Sequence, residues 1–345
     1  MITKVSSGLV SVVAVNWNRR DLLRKCLESL AAQQAVELEI IVVDNGSSDD
    51  SAEMVASEFP GARLIRNKKN RGFCAANNQG IAEARGEFVA LLNNDAEAAP
   101  GWAAALREVF ENRPLVGMAA SKILVHEDPR RIDKVGHLIY PDGQNRGRGS
   151  GVMDHGQFDR MEPVLWPDGC AAMYRRQMLA EIGGFDEDFF AYGDDAELGL
   201  RARIAGWACL YTPHAVVRHH RGSTLGLRSV TRLKLVERNR VLLAAKLFPW
   251  SLLCLNPFYY AQRLAAGVHA SFKGQGETAL FPGWRGKWTL VQGMLLGDWE
   301  ALLMLPRMLA KRRGVVRKLS ASEVRRLILD HRIGLRELTT QAAVH

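Results

Sequence analysis

Short apolar runs alternate with helical patterns along roughly the first hundred residues, and this alternation constrains the fold more than any other feature. Residues 9–16 (LVSVVAVN) are rich in β-branched side chains and predict a strand. Residues 19–33 then place Leu and Cys at helical spacing. The pattern repeats through LEIIVVDNGSSDDS, AEMVASEF, ARLIRN, CAANNQGIAEA and EFVALLNND. Strands that alternate with helices predict an α/β fold with a mostly parallel central sheet and helices on both faces.

Polar side chains follow two of the predicted strands, where such sheets bind ligands. Asp44 ends one run and could accept a hydrogen bond from a nucleobase, or it could cap the next helix. Asn93, Asn94 and Asp95 end another run, FVALLNND. Because magnesium often binds through only one or two protein carboxylates, with phosphate oxygens completing its shell, Asp95 is a candidate ligand for a divalent cation.

A third acidic segment, FFAYGDDAELGLR, places Asp194, Asp195 and Glu197 at the start of a predicted amphipathic helix. Acidic residues in a first turn are favoured by the helix dipole. The cluster is larger than capping requires and follows an aromatic, Gly-rich approach, so one of these carboxylates could act as a general base. The histidines of PHAVVRHHRGST give little reason by themselves to predict a metal site, and YPDGQNRGRGSGVMDHG predicts a mobile surface loop.

Taken together, six segments resemble the family 2 glycosyltransferases of the GT-A fold, and within them bacterial rhamnosyltransferase-like members. They occur in the family's order over residues 9–225: VVAVNWNRRDLLRKCLESL, IIVVDNGSSDDS, NKKNRGFCAANNQGI, GEFVALLNNDAEAAPGW, GGFDEDFFAYGDDAELGLRARIAGW and PHAVVRHHRGST. The resemblance implies a GT-A catalytic domain over residues 1–225, with a nucleotide-sugar half up to about residue 100 and an acceptor half beyond it.

The resemblance also implies roles for individual residues. Positions that match the family's contacts to the nucleotide sugar are Asn16, Asn18, Asp44, Asn70, Gly72, Asn77, Asn94 and Asp95. Asp95 and His219 match its metal site, where Asn93 replaces a carboxylate. Asp195 matches the catalytic base; the Glu that precedes it in the family is Asp194 here, so either aspartate is a candidate. Trp166, Asp168 and Gly169 match a segment near the acceptor.

By this resemblance the protein would be an inverting, Mg²⁺- or Mn²⁺-dependent glycosyltransferase. Its donor would be a dTDP- or UDP-sugar, with dTDP-rhamnose the first choice and UDP-hexose or UDP-galactofuranose the alternatives. Its acceptor would be a lipid-linked saccharide in the synthesis of an O-antigen-like cell-surface polysaccharide. A nucleotide-binding protein with an inactive site is an alternative from another class, although such a protein would have no reason to retain Asp44, Asp95, Asp195 and His219 together.

Positive charge is concentrated in the last part of the chain. The net charge is +9, but residues 221–345 hold 21 basic and 7 acidic side chains, so the region is strongly basic. It also mixes Trp and Tyr with Leu and Met, a pattern typical of membrane interfaces and in-plane helices. Helices that pack on the catalytic domain with solvated charges are the alternative for these aromatic positions.

We predict a helical, amphipathic region over residues 226–345 that binds an anionic membrane surface. The five scattered cysteines, the lack of a signal-peptide pattern and the lack of a long uncharged apolar run favour a cytoplasmic protein that is peripheral on the inner face of the membrane. We find no nucleic-acid-binding motif and expect no nucleic-acid partner. Self-association is possible.

Overall fold

The computed structural model of the protein describes residues 6–220 and 229–340. The strands in these ranges are β1 (Ser6–Asn16), β2 (Leu38–Asp44), β3 (Arg63–Arg66), β4 (Gly86–Leu92), β5 (Ala96–Ala98), β6 (Val116–Val125), β7 (Ile132–Lys134), β8 (His137–Ile139), β9 (Asn145–Gly147), β10 (Glu162–Pro163), β11 (Ala171–Arg175) and β12 (Ala208–His219).

The helices are α1 (Arg20–Ala31), α2 (Ser51–Glu58), α3 (Phe73–Glu83), α4 (Trp102–Glu108), α5 (Arg176–Ile182), α6 (Asp194–Ile204), α7 (Val230–Leu247), α8 (Trp250–Leu253), α9 (Asn256–Phe272), α10 (Gly283–Arg312), α11 (Ala321–Asp330) and α12 (Leu335–Thr340). Short 3₁₀ turns occupy Glu187–Phe189 and Gly276–Leu280.

The central sheet has the strand order β10-β12-β6-β11-β4-β1-β2-β3, with β5 and β7 pairing at β12 and β6. Neighbours from β4 through β1 and β2 to β3 are parallel, as is the pair β6 and β12, whereas β11 is antiparallel to both of its neighbours. Asn16 and Asp44 are direct partners in the register of β1 and β2. The predicted strand–helix alternation therefore brings the polar strand ends to one edge.

Helices cover both faces of the sheet. Successive β1 residues point to opposite faces, so Val12 packs in a core with Leu27 of α1 and Trp102 of α4, and Val13 packs in a core with Leu198 of α6 and Leu242 of α7. The apolar runs of the parallel strands are buried on both sides for this reason.

Two expectations about local structure are wrong. Helix α6 is not amphipathic, because nine of its eleven residues are buried. The segment predicted as a mobile surface loop, residues 140–156, contains β9, which pairs with β8 just before the segment, and Tyr140 and Asp142 are fully buried within it. The Asp142 carboxylate accepts a hydrogen bond from Arg263 of α9 at 2.6 Å, so the C-terminal helices cover this segment.

The chain beyond residue 229 is helical in its described part. Helix α7 lies between α10 and the body of the protein, and Gly293 and Gly297 of α10 face it closely. The predicted domain boundary near residue 225 lies in 221–228, outside the described residues, and the division into two domains stays a prediction. No described helix is long and apolar enough to span a membrane.

Candidate active site

A cleft of about 420 Å³ opens where the carboxyl ends of the central strands meet the start of α6. Ten of the residues predicted from the sequence line it: Asn70, Gly72, Asn93, Asn94, Asp95, Asp168, Gly169, Asp194, Asp195 and His219. These come from both halves of the predicted catalytic domain. The fold therefore gathers the predicted donor-side and acceptor-side positions around one cavity.

His219 lies between two carboxylates at one side of the cleft. Its Nδ1 is 2.7 Å from Asp133 Oδ2, and its Nε2 is 3.3 Å from Asp95 Oδ1. Burial opposes protonation of His219, but Cys170, Asp95 and Asp133 outweigh it and raise the pKa of the imidazole well above its usual range. A histidine that is oriented by one carboxylate and turned toward another is a common arrangement around a bound metal ion. Asp133 was not predicted, since nothing local in IDK distinguishes it.

The neighbouring histidine turns away from the cleft. His220 Nε2 is 3.1 Å from Glu97 Oε1, and the His220 ring packs edge-on against His126 at a centroid distance of 3.6 Å. Neither His220, Glu97 nor His126 lines the cavity. His219 is the last residue of β12 and His220 follows it, and the two side chains point to opposite sides.

Residues predicted on the nucleotide side form a hydrogen-bonded layer. Asn94 lines the cleft and donates to Asn16 Oδ1 at 2.7 Å, so Asn16 orients it from behind. Asp44 is buried and accepts from the backbone N–H of Ser47 at 3.2 Å. Asn18 likewise accepts from the Ser48 N–H at 2.7 Å. Asn16, Asn18 and Asp44 are outside the cavity lining, so they shape this rim and do not form the wall of the cleft itself.

Asn45, which was not singled out from the sequence, connects this layer to the cavity wall. Its side chain donates to Asn70 Oδ1 at 3.0 Å and to the Gly72 carbonyl at 3.2 Å, and it accepts from the Arg71 N–H. Gly72 has a φ of +86°, which an L-residue rarely adopts. The Asn45 amide thus contacts three successive residues of the segment before α3.

Two further predicted contacts, Asn77 and Trp166, lie outside the lining of the cleft. Asn77 is 1% exposed and donates to the Phe73 carbonyl within α3. Trp166 is fully buried and stacks on His137 at a ring-centroid distance of 5.9 Å, with Gly199 packed against it. Both residues match family motifs, but the structure gives them packing roles behind the site.

The two aspartates of α6 are in an electrostatically unfavourable position. Burial, together with the adjacent Asp195, raises the pKa of Asp194 well above the usual carboxyl range. Burial also raises the pKa of Asp195, while His137 and Lys134 partly offset it. Asp195 accepts from the Gly169 N–H at 3.3 Å and lies 3.4 Å from His137 Nε2. A carboxylate with a raised pKa is suited to accept a proton near neutral pH.

Lys134 and His137 complete this side of the cleft and were not singled out from the sequence. They lie 2.5 Å and 2.8 Å from Asp168 Oδ2. Burial disfavours ionisation of Asp168, but these two partners outweigh it and hold its pKa well below the usual range. Asp168 is therefore an anchor for two basic groups beside Asp195, and not simply an acceptor contact.

Helix α7 supports the approach to α6. The Asn239 amide donates to the carbonyls of Phe189, Ala191 and Tyr192 at 2.9, 2.9 and 2.6 Å. Phe190 and Tyr192 have φ values of +63° and +67°, which are strained for side chains of this kind. The C-terminal region thereby fixes the backbone that leads to Asp194 and Asp195.

Comparison with known proteins agrees with this fold and site. A model described as "Glycosyl transferase family 2" matches residues 11–183, and one described as "Glycosyl transferase family group 2" matches residues 146–273. The chain is 31% identical over 241 residues to an uncharacterized protein of Mycobacterium tuberculosis, covering 68% of this chain and 74% of that relative.

The chain is also 29% identical over 252 residues to the N-acetylglucosaminyl-diphospho-decaprenol L-rhamnosyltransferase of M. tuberculosis, covering 64% of this chain and 78% of that enzyme. Among solved structures, the mannosyltransferase PcManGT of Pyrobaculum calidifontis, in complex with GDP-Man and Mn²⁺, superposes with a TM-score of 0.52 at 19% identity. The match covers 89% of this chain and 86% of PcManGT. The predicted GT-A fold is confirmed, and the chain belongs to glycosyltransferase family 2.

Proposed function

We propose that the protein is a metal-dependent, inverting hexosyltransferase that transfers a sugar from a nucleotide sugar to a hydroxyl of a lipid-linked saccharide. Our first choice of donor is dTDP-rhamnose, and the pathway is the synthesis of an O-antigen-like cell-surface polysaccharide. The observation that carries the proposal is that one cleft contains both the Asp95–His219 pair and the buried aspartates of α6. The named rhamnosyltransferase relative supports the choice of sugar and of a diphospholipid acceptor.

The residues at Asp95 fit a divalent cation. Asp95 offers a carboxylate oxygen, and His219 offers Nε2 once its Nδ1 donates to Asp133. The raised pKa of His219 has the same origin, since the surrounding anionic groups attract a positive charge. Asp95 and His219 would hold Mg²⁺ or Mn²⁺, and the ion would offset negative charge that develops on the diphosphate leaving group. A similar fold has been solved with a nucleotide sugar and Mn²⁺.

Asp195 is the proposed base. A sugar hydroxyl is a weak nucleophile, so its proton must leave as its oxygen attacks the anomeric carbon. That proton passes to the Asp195 carboxylate while the new C–O bond forms and the bond from the anomeric carbon to the diphosphate oxygen breaks. Attack opposite the leaving group inverts the anomeric centre. The Gly169 N–H and the His137 ring fix the orientation of the Asp195 carboxylate during this step.

The nucleotide of the donor would bind at the hydrogen-bonded layer, which is built by Asn16, Asp44, Asn45, Asn70 and Gly72. Asp44 would accept a hydrogen bond from the pyrimidine ring. UDP-hexose and UDP-galactofuranose remain alternative donors, because these residues contact the nucleotide and not the sugar. A nucleotide-binding protein with an inactive site is the alternative from another class.

The test is transfer by the purified full-length protein. It would be incubated with dTDP-rhamnose, UDP-hexoses or UDP-galactofuranose, a short-chain polyprenyl-diphosphate saccharide and either Mg²⁺, Mn²⁺ or a chelator. We expect a product one deoxyhexose heavier from dTDP-rhamnose, formed only with a divalent cation and with inverted anomeric configuration by NMR. Transfer from a UDP-sugar alone would replace the donor assignment. Retained configuration would contradict the mechanism, and nucleotide binding without transfer or donor hydrolysis would favour the inactive-site alternative.

A further inference from the structure

The outward side of the C-terminal helices is unusually apolar. Among the large hydrophobic side chains that are exposed in the described chain, four lie in residues 6–220 and sixteen lie in residues 250–316. We call this the outer face and define it by Phe258, Val268, Phe272, Trp284, Trp288 and Trp299, whose exposed fractions range from 57% to 83%. Monomeric soluble proteins rarely expose continuous apolar patches of more than a few hundred Å² unless the patch binds something.

The exposed residues of α10 form a stripe along the helix. Trp284, Trp288, Val291, Leu295, Trp299 and Leu302 follow one another at intervals of three or four residues and are all exposed. The opposite side carries Gly293, Gly297 and Ala301, which are buried against α7. The helix packs through its smallest residues and directs its largest apolar residues to the outside. This arrangement is the reverse of that expected for a surface helix in water.

Helix α9 repeats the arrangement. Phe258, Ala261, Ala265, Val268 and Phe272 are exposed at helical spacing. The Phe272 ring, at its C-terminal end, lies 5.7 Å from Lys287 Nζ at the start of α10. The two stripes therefore adjoin through this contact, and a basic side chain lies where they meet.

Charges in this region are sorted between the inner and outer sides. Residues 250–318 contain ten basic and three acidic side chains. Each acid pairs with a base from another element: Glu277 with Arg146, Asp298 with Arg240, and Glu300 with Arg238. Exposed cations such as Lys273, Arg285 and Lys287 flank the outer face instead. The exterior of these helices therefore carries an excess of basic side chains.

We propose that the outer face lies in the interface of an anionic lipid bilayer, with α9 and α10 in the plane of the membrane. Three exposed Trp side chains on one helix suit the boundary between headgroups and acyl chains, and the flanking cations suit anionic headgroups. A second copy of the chain would bring two basic surfaces together, so charge favours lipid over self-association. In-plane binding agrees with the absence, among the described helices, of one able to span a membrane.

The outer face is connected to the cleft. Glu277, in the turn between α9 and α10, lines the cleft and bridges Arg146 of β9 and Arg232 of α7. If the proposed function is right, an acceptor anchored in the same bilayer would reach the cleft past this turn. The membrane proposal itself rests on the apolar and basic surface and does not require that function.

Vesicle flotation of the full-length protein, with neither donor nor acceptor present, tests the proposal. One sample contains phosphatidylcholine vesicles and another contains vesicles with phosphatidylglycerol added. The test variant is W284S/W288S/W299S, and the matched control is L115S/V152S/M161S, which removes three exposed apolar side chains from the body of the protein. Quenching of tryptophan fluorescence by brominated lipid reports insertion directly.

We expect the wild type and the control to float with phosphatidylglycerol vesicles, to be quenched by brominated lipid and to detach in high salt. The triple Trp variant should lose about tenfold or more of its partition coefficient, because three aromatic side chains no longer enter the interface. It should retain nucleoside diphosphate binding, which separates failure of this proposal from failure of the proposed function. Equal flotation of both variants, no wild-type binding, or a Trp-dependent dimer without vesicle binding would each overturn the proposal.

Discussion

The body of the protein and its C-terminal helices differ in which side chains they expose to the outside. Residues 6–220 expose few large apolar side chains and concentrate buried charged groups around a cleft, whereas residues 250–316 expose many apolar side chains and turn their acidic groups inward. The body therefore resembles an enzyme adapted to water. The outer side of the helices exposes the kinds of side chain that the body buries, although both regions belong to one chain of ordinary composition.

The inner side of the C-terminal region is like the body, because its polar side chains are buried and paired. Lys246 of α7 is buried and lies 2.6 Å from Asp186 and 2.7 Å from Glu197 of α6. Asn239 of the same helix holds the strained backbone before α6. The inner side is therefore structurally part of the catalytic body, and only the outer side is the surface that we propose binds lipid.

The largest expected effect is on turnover in the body. Asp195→Asn should lower kcat by about 10²–10⁴-fold, because general-base catalysis typically contributes this much. Donor affinity should stay unchanged, since the base acts only when the acceptor attacks. Steady-state kinetics and nucleotide titration of Asp195→Asn and Asp194→Asn give the measurement. A large loss in Asp194→Asn alone would assign the base to the neighbouring residue.

The next largest effect is a loss of stability when α7 is detached from its buried ion pairs with the body. Lys246→Met should lower the free energy of unfolding by about 3–5 kcal/mol, because it leaves Asp186 and Glu197 with one fewer buried partner. Lys318→Met, which removes the exposed partner of Glu181, is the control and should change the denaturation midpoint little. Equal midpoints for the two variants in chemical denaturation would show that α7 is only loosely attached.

A smaller effect compares the two sides of the C-terminal region. A Cβ at Gly297 would come within 2.7 Å of the Lys234 carbonyl oxygen, whereas a Cβ at Gly267 in α9 would meet no atom within 4 Å. Gly297→Ala should therefore destabilise the protein by about 1–3 kcal/mol. Gly267→Ala should stabilise it by up to about 1 kcal/mol through helix propensity. Thermal unfolding checks both, and the same sign for the two variants would contradict the observed packing.

The smallest effect concerns the pH dependence of stability. Asp194 has a raised pKa in the folded protein, so its contribution is most favourable below the unfolded pKa and is lost as the pH rises through the folded value. Asp194→Asn should raise Tm relative to wild type more at about pH 8 than at about pH 5.

Asp49 provides a control of opposite sign for this experiment. Burial opposes its ionisation, but hydrogen bonds from Ser51 and Arg20 outweigh this and lower its pKa. This stabilisation is complete above the unfolded carboxyl pKa and is lost only as the pH falls through the lowered folded value, so Asp49→Asn should lower Tm by about the same amount at both pH values. A Tm gain for Asp194→Asn that is the same at both pH values would mean that removal of the carboxyl charge is not its cause.

The sequence predicted a residue's position in the cleft where that residue directly follows a strand pattern or begins a helix pattern. Asp95 and Asn93 follow a buried apolar run, so strand, edge and candidate ligand could be predicted together. The location of Asp195 in the cleft could be predicted because it lies at the start of a helix within a segment that resembles a family motif. The mostly parallel sheet followed from the alternation of strand and helix patterns, and the structure and the comparisons confirm it.

Other features depend on contacts between distant segments. His137 and Lys134 have no distinguishing local pattern, and only folding brings them to Asp168 and Asp195. The burial of α6 could not be predicted from its own residues, because α7 covers the side that the sequence leaves polar. Asn77 and Trp166 illustrate the converse: a motif position identifies a segment, but only packing decides whether its side chain reaches the cleft.

We propose that the body holds a metal-dependent nucleotide site at Asp95 and His219. Calorimetric titration of the full-length protein with dTDP and UDP, each with Mn²⁺ and with a chelator, tests it most directly. We predict that Mn²⁺ strengthens binding to the wild type and that Asp95→Ala abolishes this gain while its Tm shows that it remains folded. Metal-dependent affinity that is unchanged in Asp95→Ala would contradict the claim.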